Sequence, residues 1–184
     1  EDRELYRIFY YDCPPLKKTV YHPALKRGVD FGRSDTYNWT ISFFEELKKK
    51  RKLALRMGVL SDANAHFSLK ADKIKALCQS EITIDDLTES DSSISFSQKG
   101  VDMRIGLDIA SLAYKKQVNQ IILIAGDSDF VPAAKLARRE GIDFILDPME
   151  ATIRSDLFEH IDGLKTCWKK EKHEKKWMAS AEKL

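Results

Sequence analysis

Four branched aliphatic residues and an alanine, Ile121-Ile122-Leu123-Ile124-Ala125, run directly into Gly126-Asp127-Ser128-Asp129-Phe130. No other stretch constrains the fold as strongly. A continuous apolar run bounded by turn residues suits a parallel strand covered on both faces, whereas a half-solvated strand would alternate. The turn leads into a helix predicted over residues 130–140, which Gly141 stops as a C-cap before a second strand over 143–146. This is a β-α-β unit, and a right-handed crossover makes its two strands parallel neighbours. The expected class is therefore α/β, three-layered, with a mainly parallel central sheet flanked by helices.

The rest of the chain is read against that unit. Residues 5–11 (LYRIFYY) suit a buried strand closed by Asp12-Cys13-Pro14-Pro15. Residues 17–33 are basic and show no clear period. Tyr37, Trp39, Phe43, Phe44 and Leu47 follow a Ser34 or Asp35 cap and mark an amphipathic helix, with Trp39 expected in the core. Lys48-Lys49-Lys50-Arg51-Lys52 complements the carboxyl end of that helix. A strand is expected over residues 53–60 and a short helix over 69–79. Residues 81–95 hold five carboxylates among six Ser or Thr, the composition of an exposed insertion, near 81–97, that is mobile or only partly strand-like. Residues 101–114 carry a helical apolar face through Ile105 and Leu112, and Gly106 inside it, costing about 1 kcal/mol relative to Ala, is read as a point of close packing. Ser155 or Asp156 caps a last helix through 164. The domain is expected to span 1–164, followed by a lysine-rich extension over 165–184.

A length of 184 residues allows one core-bearing domain. Lys and Arg nearly balance Asp and Glu, leaving a formal charge of +2, so local clusters rather than the whole-molecule field must point to any partner. There is no apolar run of bilayer-spanning length and no leader-like opening, and the expected location is cytoplasmic. Cys13, Cys78 and Cys167 are odd in number and lack Cys-x-x-Cys spacing, which argues against a disulfide framework or a structural zinc site. The four histidines lack metal spacing with one another.

Chemistry is expected beyond the carboxyl end of the strand at 121–125, where Asp127 and Asp129 fall. Two carboxylates so close on one turn need partners, and a hard, oxygen-seeking cation such as Mg²⁺ or Mn²⁺ is a natural one. Helix capping by Ser128 and Asp129 accounts for Asp129 but leaves Asp127 unexplained. Asp102 and Asp108 form a second pair, about 120° apart around a regular helix, so they share a site only if Asp102 sits in the first turn and points back over the helix end. Asp108 lies among Ile105, Gly106, Leu107, Ile109 and Ala110, where an unpaired buried carboxylate would be costly; a metal, or Lys115 or Arg104, would relieve it.

Residues 6–12 with Pro14-Pro15, Gln98-Lys99-Gly100-Val101-Asp102, Leu107-Asp108 and Ile124-Ala125-Gly126-Asp127-Ser128-Asp129-Phe130, in this order and spacing, resemble the NYN domains, in particular the LabA-like (DUF88) branch of the PIN-like nuclease superfamily. The resemblance covers residues 5–164. It implies a Rossmann-like parallel sheet whose clustered aspartates bind divalent metal, Mg²⁺ or Mn²⁺, and hydrolyse RNA phosphodiesters. Carried over position by position, it implies Asp102, Asp108, Asp127 and Asp129 as the acidic set, with Asp102, Asp127 and Asp129 on the metal, Ser128 alongside and Lys99 as a phosphate contact. Family members open with a further apolar strand ending in an acidic ligand. Nothing before Leu5 matches it, which leads us to expect residues upstream of this sequence. Family habit adds a homodimer.

On this reading Lys17, Lys18, Lys26, Arg27 and Arg33 would join Lys99 in holding the phosphates of single-stranded RNA, and Tyr21, or Trp39 if it is not taken up by the core, would stack on unpaired bases. Two alternatives stay open. One is a degraded module that binds RNA or protein without cleaving. The other is a haloacid-dehalogenase-like phosphatase with Asp127 as nucleophile and Asp129 as acid/base, for which little chain follows to supply the later motifs.

Overall fold

The structure is a computed structural model that describes residues 4–125 and 128–166, with only the backbone of Ser128. The chain divides into two compact units, Glu1–Val101 and Asp102–Leu184. Gly126, Asp127 and the extension from 167 onward lie outside the described residues.

In the first unit the aromatic run at the start becomes β1 (Ile8–Asp12). The basic segment that lacked a period forms an antiparallel hairpin, β2 (Thr19–His22) and β3 (Arg27–Asp30), with Val20 opposite Val29 and Tyr21 opposite Gly28. Its four-residue loop is tied by the Leu25 N–H donating to Nδ1 of His22 at 3.3 Å, and Lys26 takes a left-handed φ of 52° to close it. Ser34 caps α1 (Asp35–Lys48) by accepting from the Tyr37 N–H. Phe43 and Phe44 then reach Tyr10 of β1 with edge-on ring contacts at 5.6 and 6.4 Å. Trp39 is a correction to the sequence reading: its indole is 66% exposed and lies parallel on Phe43, with ring centroids 5.2 Å apart. Phe44 takes the buried position on that face of the helix.

The strand expected over 53–60 is interrupted at Gly58, giving β4 (Leu53–Met57), parallel to β1, and β5 (Val59–Leu69). The cause is local. A Cβ on Gly58 would stand 2.8 Å from the Lys99 carbonyl oxygen and 2.9 Å from Sγ of Cys13, and the Gly58 N–H donates to the Asp12 carbonyl at 2.7 Å. After α2 (Ala71–Cys78) come two 3₁₀ turns, Ile84–Asp86 and Glu89–Asp91, and β6 (Ser92–Lys99), which pairs antiparallel with β5. Each turn is closed by the same device: the carboxylate of Asp86 accepts from the N–H and hydroxyl of Thr83, and that of Asp91 from those of Thr88. The acidic stretch thus supplies its own caps.

In the second unit α3 (Val101–Tyr114) buries Ile105, Ile109 and Ala113. A Cβ on Gly106 would meet nothing within 4 Å, so the close packing expected there is absent among the described residues. The apolar run forms β7 (Gln120–Ile124), and a 3₁₀ turn, Ser128–Phe130, leads into α4 (Val131–Arg139). Gly141, at φ 81°, ends that helix; its N–H donates to the Arg138 carbonyl at 2.9 Å and the Ile142 N–H to Ala137 at 3.0 Å, the two bonds of a Schellman stop. β8 (Asp143–Asp147) then lies parallel to β7, residue 124 facing 147.

The last expected helix is much shorter than its cap signal suggested. Only α5 (Ser155–Phe158) forms, Arg154 occupies its cap without a side-chain bond, and residues 163–164 add a parallel strand, β9 (Gly163–Leu164), beside β8. Asp162 turns the chain into that strand. Its carboxylate accepts from Nε of Arg138 at 2.8 Å and from the Phe144 N–H at 2.9 Å, and a Cβ on Gly163 would stand 2.8 Å from Cδ1 of Ile145. Phe144, Leu146 and Leu157 are fully buried beneath this arrangement.

The fold is thus mixed α/β. Among the described residues its strands form four small sheets, β1-β4, β2-β3, β5-β6 and β7-β8-β9, rather than one continuous parallel sheet, and the two antiparallel pairs were not anticipated. Among the described residues no helix is long and apolar enough to cross a membrane.

Candidate functional site

The second unit carries the acidic set. β7 ends at Ile124, three residues before Asp127 in the sequence, and that end is the carboxyl edge of a parallel pair, where open α/β sheets place their ligands. Phe130 is buried in the core, and Pro132 stands in the first turn of α4. Asp129, directly before Phe130, is exposed. An apolar anchor next to an exposed carboxylate is a cheap way of presenting that carboxylate at a strand edge.

Asp102 and Asp108 both belong to α3. Asp102 is exposed in the first turn, where a carboxylate interacts favourably with the helix dipole. Asp108 is half-buried, flanked by the buried Ile105 and Ile109. Asp127 lies outside the described residues. Among those described, no group of three or more His, Cys, Asp or Glu is placed to hold a metal ion.

Two further carboxylates stand at strand ends: Asp147, which escaped the sequence reading, and Asp12, which was read as the close of a strand but not as a site residue. Asp147 closes β8, directly across from Ile124, is only 4% exposed, and accepts the Met149 N–H at 3.0 Å. It stabilises a turn in which Met149 and Glu150 both take left-handed φ values, 48° and 65°, with the Ala151 N–H donating to the Pro148 carbonyl. Its sequence signal was an Asp between an apolar run and a proline. In the first unit Asp12 closes β1; its carboxylate accepts the Cys13 N–H at 2.7 Å and the Tyr10 hydroxyl at 3.3 Å. Burial, followed by the neighbouring Asp12 charge and this hydrogen bond, raises the Tyr10 phenol above its usual value.

The predicted phosphate contacts all lie in the first unit. Lys99 ends β6 opposite Val59. Lys26 forms an exposed ion pair with Asp85 at 3.0 Å, and Arg33 one with Asp30 at 3.3 Å; pairs so solvated hold their partners weakly. Arg27 opens β3. Lys18 is committed to structure, its ammonium donating to the Asp62 carbonyl at 2.7 Å.

A parallel strand followed in the sequence by Gly-Asp-Ser-Asp, and then by a helix whose cap position falls to Phe130 rather than to Ser128 or Asp129, without a side-chain cap bond, belongs to an α/β domain. The family model for the NYN domain matches residues 35–159, well over half of the chain, and includes this junction. The chain belongs to the NYN domain family, a branch of the PIN-like nuclease superfamily. No curated protein and no solved structure gives a significant match.

Proposed function

We propose that this protein is a divalent-metal-dependent ribonuclease that hydrolyses phosphodiester bonds of single-stranded RNA, with Asp102, Asp108, Asp127 and Asp129 as its acidic set. The observation that carries this reading is the family match across the junction of β7 with its acidic loop. An all-carboxylate donor set suits Mg²⁺ or Mn²⁺, which take oxygen ligands. Such an ion, when bound, would supply a low-pKa water and charge neutralisation for an in-line displacement. Asp102, Asp127 and Asp129 would hold it. Asp108, half-buried on α3, would orient the acidic edge, and Lys99 with the basic residues of the β2–β3 hairpin would hold phosphates.

A second reading is that of a degraded module of the same family. On that reading the chain binds RNA without cleaving it. Labelled single-stranded RNA incubated with the protein in Mn²⁺, Mg²⁺ or EDTA separates the two. The ribonuclease is expected to cleave only with metal, and Asp127→Asn should lower the rate by more than about 100-fold, the upper end of what losing a mere supporter of a metal ligand costs. Binding without cleavage by well-folded protein would establish the scaffold instead.

A further inference from the structure

On the footing of the ribonuclease reading, we propose that the outer face of the β2–β3 hairpin is a binding surface for single-stranded RNA, with Tyr21 as the residue on which a base stacks. The hairpin has one committed face and one open face. Val20 and His22 point inward: the His22 ring is 1% exposed, packs on Phe67 of β5 with centroids 4.2 Å apart, and Nε2 meets the Ser92 hydroxyl at 3.0 Å. Lys18 adds a bond to the backbone of β5 at Asp62. Tyr21, alternating with these, is 63% exposed.

The residue across from Tyr21 is Gly28. A Cβ there would stand 2.8 Å from Cγ2 of Thr19, so the position is held without a side chain, and no cross-strand neighbour covers the tyrosine from that side. A large exposed aromatic on a strand normally finds a cross-strand partner to pack on. Here the partner is missing and the backbone beneath is fixed.

Charge selects the occupant. Residues 17–33 hold Lys17, Lys18, Lys26, Arg27 and Arg33 against the single carboxylate Asp30, although the whole chain carries only +2. A solvent-facing aromatic in a segment whose Lys17, Lys26, Arg27 and Arg33 are exposed is a combination that can hold an unpaired strand, the ring stacking a base and the cations following the phosphates. The weak exposed pairs of Lys26 with Asp85 and Arg33 with Asp30 can be exchanged for phosphate.

The test is fluorescence anisotropy of a labelled oligouridine, in EDTA so that nothing is cleaved, with the full chain, Tyr21→Ala and Tyr21→Phe. Tyr21→Ala should weaken binding by about 5- to 150-fold, the loss of one base–aromatic stack, and leave the salt dependence unchanged. Tyr21→Phe should bind like the parent. Circular dichroism checks that the exposed substitution leaves the fold intact. Equal binding by parent and Tyr21→Ala, or no RNA binding by the parent, overturns the proposal. Tyr21-dependent binding without cleavage in Mn²⁺ would remove the ribonuclease reading and leave the hairpin site standing; cleavage with no dependence on Tyr21 in either assay would do the reverse.

Discussion

At the scale of single residues, Asp91 shows how a carboxylate that reads as solvated can be structural. It lies almost wholly inside, accepts the N–H and hydroxyl of Thr88 at 2.8 Å each, and meets Lys73 at 3.2 Å. The Thr88 backbone bond first, then its hydroxyl and Lys73, hold its carboxyl down at about 2. Because the folded value is depressed, its contribution to stability is complete above the ordinary carboxylate range near 3.8 and is lost as pH falls toward about 2. Asp91→Asn should therefore be less stable than the parent at neutral pH and lose less stability on acidification between about pH 4 and pH 2. Urea titrations at stepped pH would read this, and parallel acid curves for the two proteins would refute it. Gly106 makes the opposite point. With open space around its missing Cβ inside α3, Gly106→Ala should raise stability by about 0.5–1 kcal/mol, seen as a higher urea midpoint at unchanged slope. A loss would mean that the glycine meets something beyond the described contacts.

Elements were legible where local signals and packing agreed. α4 had Gly141 as its stop signal, and it forms with a full Schellman stop; β7 and β8 form as parallel strands where their aliphatic runs lie, but β7 is not covered on both faces among the described residues, since Ile122 and Ile124 are 53% and 60% exposed. The β2–β3 hairpin was illegible because its inward pair is Val20 and His22, and a histidine buried by a ring contact and two hydrogen bonds has no hydrophobic signature. The end of the chain misled for a related reason. Ser155 and Asp156 look like caps, but the deciding contacts are Asp162 to Arg138 and to the Phe144 N–H, both long-range. The acidic edge divides likewise: Asp127 and Asp129 stood out by spacing, while Asp147 was hidden as the last residue of a strand. Asp162→Ala should cost about 1–3 kcal/mol by leaving a part-buried N–H without its acceptor and Arg138 without its partner. Arg138→Ala should cost less, and the double variant should fall short of the sum in a denaturation cycle. Additive losses would mean that the two side chains act independently.

For the molecule as a whole, a near-neutral net charge conceals two basic clusters with different fates. Lys48, Lys49 and Lys52, at and after the end of α1, are taken up by Glu45, Glu46 and Glu4 in ion pairs, and this cluster sits at the amino-terminal edge of β4, the end opposite to Asp12 and the strand carboxyl ends of that unit. The hairpin cluster is only lightly paired and shares its segment with the exposed Tyr21. If the hairpin guides RNA, the cations there and not those after α1 release counterions on binding. For single strands each phosphate contact contributes about 0.7 to the slope of log affinity against log salt concentration. Replacing Lys17 and Arg27 together by Gln should then flatten that slope by about 1.4, whereas replacing Lys50 and Arg51 should leave it where it was. Anisotropy titrations over a series of salt concentrations measure both. Equal flattening by the two double substitutions would show that RNA senses only the average charge of the chain, and the hairpin would lose its special place.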